Sequence, residues 1–323
     1  MKLDRRLLLA GSAALAFLPL AGRAQGLSAN PITIVVPFTP GTGIDILARA
    51  VGDRLRARWS QPVVIDNKPG ASGNIGAQAV ARAAADGHTL LMTVNAFVMN
   101  PHLYKQVPYD PVANFTPIVE VATGDLVLVA HPSLNVADTR ALVEAAKAAD
   151  GKIDYASPGV GTPQHLAMEL FKQKAAVSFN HVPYRGSAGA VQDVVAGHVK
   201  VMFMPVHTAL PFARNNQIKV LAIGGAKRSP QAPDVPTLAE AGFPGAEVDL
   251  WYGLLAPSGT PVATVAKLNT EVNEILREPA LVETLRAQGL IAVGGTPADF
   301  AKLIAADLAK WGAVVKAANI SAD

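Results

Sequence analysis

Beyond residue 30, short runs rich in β-branched residues alternate with longer segments of helical periodicity. The first pair is Ile32–Val36, which is typical of a buried strand, and Gly43–Arg58, which places Ile44, Leu47 and Val51 on one helical face. The alternation continues through Val63–Asp66, Ile75–Ala84, Thr89–Val94, Val127–Ala130, Ile153–Ser157, His181–Tyr184 and Val199–Met204. Strands that alternate with helices predict an α/β fold built on a parallel sheet with right-handed crossovers.

The distribution of charge argues against a nucleic-acid partner. Residues 1–24 hold four basic side chains and one acidic one, which accounts for the whole net charge of +3. The rest of the chain has 28 − 4 = 24 basic and 25 − 1 = 24 acidic residues, with no basic run of the kind that binds phosphate backbones. The sequence has no cysteine, which excludes disulfides, thiolate catalysis and cysteine-ligated metals.

The first 24 residues have the features of a signal peptide. Met1–Arg6 is basic, Leu7–Leu20 is apolar, and small residues surround the predicted cleavage point after Ala24. The apolar run of 14 residues is too short to span a bilayer core of about 30 Å. We therefore expect a monomeric mature protein, free in a bacterial periplasm. The pair Arg5-Arg6 leaves open whether export follows the general or the twin-arginine route.

Three predicted strand-to-helix junctions place glycines and a hydroxyl side chain at a helix N-terminus. They are Pro37–Asp45, Ser157–Pro163 and Tyr184–Gly189, with Thr162 and Ser187 as predicted caps. Free backbone N–H groups and the helix macrodipole favour an anion at such positions. In parallel α/β sheets these loops follow the carboxyl ends of strands, where ligands bind. Ordinary capping explains one such junction by itself, whereas three of the same kind favour a binding site.

Motifs for other chemistry are incomplete. The triplets Gly41–Gly43 and Gly159–Gly161 do not extend to a dinucleotide-binding motif, and residues 185–189 lack the first glycine of a hydrolase nucleophile elbow. The 7 histidines are not at metal-pair spacing. His165 could face a cleft but fits a packing role better, and Asp45 is predicted to complete a capping box. We therefore predict no catalytic residue, no cofactor and no metal site.

Along nearly its whole mature length, the sequence resembles a known family. The matching stretches are Pro37–Arg49, Asn67–Ala77, Asp86–Met92, Ser157–Phe171, His181–Gly197, Pro233–Gly245 and Trp251–Pro261. They are similar to those of the periplasmic solute receptors of tripartite tricarboxylate transporters, the Bug-type receptors. The resemblance implies a type II periplasmic-binding-protein fold, with two α/β lobes around a ligand cleft and a two-strand hinge. It assigns residues 25–124 and 227–323 to one lobe and residues 125–226 to the other.

The resemblance also implies a receptor that binds a small carboxylate and delivers it to membrane transporter subunits. The ligand would be a dicarboxylate, a tricarboxylate, an amino acid or an aromatic acid. The contacts that it implies are Phe38, Gly41, Thr42, Asp45, Asn95, Ser157, Gly159, Gly161, Thr162, Tyr184, Gly186, Ser187 and Ala188. Lys200 and Met204 depart from the family pattern, which tends to have acidic residues there. Two alternatives stay open: a ligand sensor for a periplasmic signalling partner, and a small-molecule hydrolase or transferase.

The three junctions predict how a carboxylate would be held. A charge buried in a cleft must be neutralised or well hydrogen-bonded. Arg185 is the only Lys or Arg in these loops, and its place beside a tight glycine turn predicts that it points to solvent. We therefore expect backbone N–H groups and hydroxyls, aided by helix N-termini, to neutralise the ligand.

Overall fold

The computed structural model of the chain describes residues 30–322. The predicted signal peptide and its cleavage after Ala24 lie outside these residues. Within the described range there are ten strands: β1 (Ile32–Val36), β2 (Val63–Asn67), β3 (Thr89–Val94), β4 (Phe115–Ala130), β5 (Asp154–Ser157), β6 (Asn180–Pro183), β7 (Val201–Pro205), β8 (Lys219–Ile223), β9 (Asp249–Pro257) and β10 (Leu290–Ala292). The same range holds ten α-helices: α1 (Gly43–Trp59), α2 (Asn74–Ala81), α3 (Ala96–Leu103), α4 (Thr139–Ala149), α5 (Pro163–Ala175), α6 (Ser187–Val195), α7 (Val206–Arg214), α8 (Val262–Leu276), α9 (Pro279–Ala287) and α10 (Pro297–Ala318).

The strands form one curled, mixed sheet in the order β2-β1-β3-β9-β4-β7-β5-β6, with β8 and β10 also paired to β4. The β2-β1-β3 and β6-β5-β7 pairs are parallel, as the alternation predicted. The central pairs of β3 with β9, and of β4 with β9, β7, β8 and β10, are antiparallel. The α/β class is therefore confirmed, and the predicted parallel pairing is found on both sides of the sheet but not at its centre.

The antiparallel pairs at the centre all involve β4 or β9, and β4 runs through two sections of the sheet. The part of β4 from Phe115 to Asp125 pairs with β9, whereas Leu126–Ala130 pairs with β7 and β8. The chain returns through residues 224–248, where the Gly224 amide donates to the Leu126 carbonyl at 2.7 Å. We call the sheet formed with β1, β2, β3, β9 and β10 the first section, and that formed with β5, β6, β7 and β8 the second section.

Each section has an apolar core on both sides of its strands. Leu90, Leu254 and Leu268 are fully buried in the first section, and Tyr155 and Phe171 are fully buried in or beside the second. In the part of the chain that the structure describes, no helix is both long enough and apolar enough to cross a membrane.

Helix starts follow local capping chemistry. The Asp138 carboxylate accepts the Ala141 amide at 2.8 Å where α4 begins, and the Thr296 hydroxyl accepts the Asp299 amide at 3.1 Å where α10 begins. These side chains satisfy N–H groups that have no partner inside the helix. The capped starts contrast with several helices at the junction of the two sections, which are described next.

Candidate functional site

A cavity of about 350 Å³ lies between the two sections. The first section contributes Phe38, Thr42, Gly43, Ile44, Ser72, Val94, Ala96, Leu250 and Tyr252, and the second contributes Pro158, Gly161, Thr162, Pro163, Gln164, Gly186, Ser187 and Pro205. None of these described lining residues is charged. The described residues also include no group of three or more His, Asp or Glu side chains that could hold a metal ion.

Among the described helices, five begin at this cavity. Gly43, Ala96, Pro163 and Ser187 are the first residues of α1, α3, α5 and α6, and Pro205 immediately precedes α7. The positive ends of the helix dipoles therefore converge on an uncharged cavity, which favours an anion. The sequence predicted three of these junctions. It missed α3 and α7 because their starts lack the glycine and hydroxyl residues that marked the others.

The first loop is braced from within by Asp45. Its carboxylate accepts the Gly41 amide at 2.9 Å, the Asn67 amide group at 2.9 Å and the Arg49 guanidinium at 3.0 Å. The side chain is 3% exposed and is not part of the described cavity wall. The predicted capping box is wrong in detail, because the Thr42 hydroxyl donates to the Thr39 carbonyl and does not cap α1. Thr42 lines the cavity.

The second loop is held by its own hydroxyl groups. The Thr162 hydroxyl accepts the His165 amide at 3.4 Å and donates to the Gly159 carbonyl at 2.8 Å, which confirms Thr162 as the cap of α5. Ser157 is buried, and its Oγ lies 2.7 Å from Nε2 of His181 and 3.2 Å from the Gly159 amide. Gly161 and Thr162 therefore form the cavity wall, while Ser157 and Gly159 support it from behind.

The third loop places backbone, not an aromatic ring, at the cavity. The Tyr184 hydroxyl donates to the Asp193 carboxylate at 2.5 Å, and burial together with this bond raises the pKa of Tyr184 to about 12. The N-cap of α6 is Gly186, with φ of 114°, and Ser187 is the first helical residue. The prediction of Ser187 as the cap is therefore wrong.

Further side chains near this loop point elsewhere. Ala188 and Arg185 are exposed and are not part of the described cavity wall. The exposure of Arg185 agrees with its predicted direction toward solvent.

Three further residues singled out in the sequence lie behind or away from the cavity. Asn95 is fully buried, and its Oδ1 accepts the Trp251 amide at 2.9 Å. Met204 is fully buried in the core of the second section. Lys200 donates to the Gly197 carbonyl at 2.6 Å and is not part of the described cavity wall.

Sequence reasoning missed three polar side chains of the cavity wall: Ser72, Gln164 and Tyr252. Ser72 has a left-handed backbone with φ of 53°, and its hydroxyl lies 2.9 Å from that of Tyr104. Burial raises the pKa of Tyr252 to about 12, so this phenol remains a hydrogen-bond donor at neutral pH. The glycine-rich run around Ser72 is a sequence signal that could have identified this residue as part of a ligand site. Tyr252 depends on the pairing of β9, which no local pattern reveals.

A curled mixed α/β sheet in two sections, with an anion-attracting cavity between them, is typical of solute-binding proteins. The sequence model of the family described as "Tripartite tricarboxylate transporter family receptor" matches residues 47–320. The chain therefore belongs to this family, as the resemblance of its loops predicted. Protein BugT of Bordetella pertussis is 35% identical over 307 residues, which cover 93% of this chain and 94% of BugT.

Two solved structures are similar over almost their whole length. One is that of R. palustris Rpa4515 with adipate, with a TM-score of 0.80 and 36% identity over 90% of this chain and 98% of that chain. The other is that of the periplasmic binding protein BugD, with a TM-score of 0.77 and 30% identity over 90% of this chain and 98% of that chain. The family is one of receptors, and BugD is a periplasmic binding protein, which confirms the prediction of a Bug-type receptor rather than an enzyme.

Proposed function

We propose that this protein is an extracytoplasmic receptor that binds a small carboxylate in the cavity and delivers it to a tripartite tricarboxylate-type membrane transporter. The observation that carries the proposal is the meeting of five helix N-termini at a cavity whose described wall has no charged side chain. A carboxylate there would receive N–H and O–H donors from both sections of the sheet.

The donors come mainly from helix starts that lack a capping side chain. In the described structure, α1 and α6 have none, so their first N–H groups are left for a ligand or for water. The Ser187 hydroxyl lies at the start of α6, whereas the hydroxyls of Thr42 and Thr162 already donate to the Thr39 and Gly159 carbonyls. We propose that the six predicted residues of the wall (Phe38, Thr42, Gly161, Thr162, Gly186 and Ser187) contact the ligand. The other seven (Gly41, Asp45, Asn95, Ser157, Gly159, Tyr184 and Ala188) support them.

The size and polarity of the cavity support a dicarboxylate as the ligand. Donor groups face the cavity from both sections, so each end of a dicarboxylate has partners, while Phe38, Ile44 and Leu250 provide apolar wall between them. The relative Rpa4515 was solved with adipate, a dicarboxylate. A dicarboxylate that touches both sections would favour the closure of two lobes about a hinge. One lobe would consist of residues 25–124 and 227–323, and the other of residues 125–226.

Export to the periplasm as a monomer completes the proposal. Cleavage after Ala24 would release the mature protein, and membership of a transporter receptor family supports a tripartite membrane transporter as its partner. The intact mass of periplasmic protein tests this step, because material that retains residues 1–24 contradicts cleavage.

Calorimetric titration with adipate, citrate and the uncharged diamide of adipic acid tests the carboxylate site. We expect adipate to bind and the diamide not to bind. The variant Ser187→Ala should weaken binding by about 5- to 150-fold, which corresponds to the loss of one hydrogen bond to a charged group. Thr162→Ala should also weaken binding, because the Thr162 hydroxyl holds the loop in place through the His165 amide and the Gly159 carbonyl. Arg185→Ala is the matched control in the same region and should bind nearly as the wild type does.

Salt and the control variant distinguish this mechanism from a side-chain cation. Buried donors are poorly screened, so the affinity should change little between low and high ionic strength. Loss of binding in Arg185→Ala, with both hydroxyl variants unaffected, would mean that a cation holds the ligand.

A further inference from the structure

The two loops that face each other across the cavity share a local construction that the sequence does not make obvious. In Gly41-Thr42-Gly43-Ile44-Asp45 and in Gly161-Thr162-Pro163-Gln164-His165, a glycine and a threonine precede the helix. In each loop the side chain of the third helical residue, Asp45 or His165, accepts the N–H of the glycine four positions earlier. The distances are 2.9 Å to Asp45 Oδ2 and 3.0 Å to His165 Nδ1. Gly41 and Gly161 also have similar φ angles, 81° and 76°.

The two acceptors differ in charge. Burial raises the pKa of Asp45, but hydrogen bonds from Arg49, the Gly41 amide and Asn67 outweigh that effect and lower it. Asp45 is therefore an ionised carboxylate paired with Arg49 at 3.0 Å. His165 occupies the matching position in the second section without a charge of its own.

The surroundings of His165 keep it neutral. Its ring stacks on that of His181 at 4.0 Å, and the Tyr155 ring stacks on His181 at 4.7 Å and lies 6.3 Å from His165. Burial, His181 and Lys172 lower the pKa of His165 to about 3. The charged groups that face the stack are Glu169, whose Oε1 is 3.9 Å from His165 Nε2, and Lys172, which pairs with Glu169 at 2.7 Å.

The hydrogen bond to Gly161 also fixes the tautomer of the ring. Because the Gly161 N–H donates to Nδ1, this nitrogen carries no proton, and the proton of the neutral ring is on Nε2. Its stacking partner His181 contacts the other end of the same loop, since His181 Nε2 lies 2.7 Å from Ser157 Oγ. The stacked pair thus supports the loop at both Ser157 and Gly161.

We propose that His165 is a positioning residue of the ligand site, acting as an uncharged acceptor that fixes the Gly161 peptide in the cavity wall. The inference rests on the proposed carboxylate function. A carboxylate acceptor at this position would place a negative charge beside the ligand at the N-terminus of α5. Arg49 neutralises the carboxylate of Asp45, but the described hydrogen bonds of His165 include no arginine that could do the same here. A neutral imidazole holds the same amide without that repulsion.

The first test is nitrogen NMR of the histidine rings in ligand-free protein. We expect His165 to be protonated only on Nε2, to show a coupling between Nδ1 and the Gly161 amide, and not to titrate between pH 7.5 and 5. A ring protonated on Nδ1, or one that titrates near its ordinary value, would overturn the proposal. This test needs no ligand, so its result is separate from the success or failure of the proposed function.

The second test compares two substitutions by calorimetry with adipate. His165→Asn places a side-chain amide oxygen near the position of Nδ1 and keeps an uncharged acceptor, whereas His165→Phe keeps a stacked ring but removes the acceptor. We expect the Phe variant to bind about 10-fold more weakly, or worse, because the Gly161 N–H is left without a partner. The Asn variant should stay within about 3-fold of the wild type.

A matched control is available at His131, whose Nδ1 also accepts a backbone N–H, that of Ser133 at 3.2 Å, away from the described cavity wall. His131→Phe should leave the adipate affinity unchanged. Equal affinities for the wild type and His165→Phe, or equal losses in both His165 variants, would refute a positioning role. If adipate binds to no form of the protein, the choice of ligand is wrong, and the NMR result still decides the role of His165.

Discussion

Acidification should destabilise the ligand-free protein well above the pH at which its carboxylates become protonated. Burial is the main reason that the pKa of His181 is lowered to about 4 and that of His165 to about 3. In the unfolded chain both rings return to an ordinary pKa of 6.5. Between these limits the unfolded chain binds two protons that the folded protein does not, so the free energy of unfolding falls as the pH falls.

The size of this effect follows from the two shifts. Each histidine contributes about 1.4 kcal/mol per pH unit once the unfolded form is fully protonated. Between pH 7.5 and 4.5 the pair would therefore lower the free energy of unfolding by about 5 kcal/mol if the fold stayed rigid. Relaxation around the charged rings reduces this to about 2–5 kcal/mol, still a large part of a typical stability of about 5–15 kcal/mol. Against the effect of burial, hydrogen bonds from Arg49, the Gly41 amide and Asn67 lower the pKa of Asp45 from its ordinary value, so its contribution falls mainly at more acidic pH.

Urea unfolding followed by tryptophan fluorescence at pH 7.5, 6.5, 5.5 and 4.5 measures this dependence. The variant His165→Asn lacks one of the two groups, so its stability should fall less steeply, by about 1.4 kcal/mol per pH unit between pH 5.5 and 4.5. His131 and His207, whose pKa values burial also lowers, are present in both proteins and cancel in the comparison. Parallel pH profiles for wild type and variant, or a wild-type profile that is flat from pH 7 to 5, would refute the reasoning.

Three further predictions concern packing, the first loop and closure. Gly253→Ala should lower the unfolding free energy by about 3 kcal/mol or more in urea titrations, because its Cβ would lie 1.9 Å from the Phe300 ring; a loss below about 0.5 kcal/mol contradicts this. Asp45→Asn should cost about 1–3 kcal/mol in the same assay, because Arg49 loses its buried partner, and a neutral result contradicts the brace. Saturating adipate should reduce the radius of gyration in small-angle scattering, and unchanged profiles with bound ligand contradict closure.

Local patterns in the sequence predict the parts of the fold that depend on neighbouring residues. The bounds of β1 and β3 agree with the predicted segments, and Thr162 caps α5 as expected. The sequence does not reveal that β9 inserts between β3 and β4, because a strand of nine residues can pair with any exposed edge. That choice depends on the chain path through 224–248, which carries no periodic signal.

The same division applies to the candidate site. Glycine and hydroxyl residues at strand ends predict Gly161, Thr162 and Gly186, because the chemistry of a helix start is local. The directions of Tyr184 and Asn95 are not local, since each is decided by a partner elsewhere: Asp193 on α6 for Tyr184, and the Trp251 amide on β9 for Asn95. Ser72 and Tyr252 reach the cavity wall only because distant segments fold against it.

The arrangement of donors also bears on how a receptor of this kind could release its ligand. A lysine or arginine in one section would hold a carboxylate whether or not the other section was near. Here α1 and α3 belong to the first section, and α5, α6 and α7 belong to the second. Each helix N-terminus supplies only a partial positive charge, whose effect falls off within about one helical turn. On the proposed function, the ligand is neutralised fully only when both sections face it. Separating the sections by a few ångströms would then return its carboxylates to water, and binding and release become consequences of the same hinge motion.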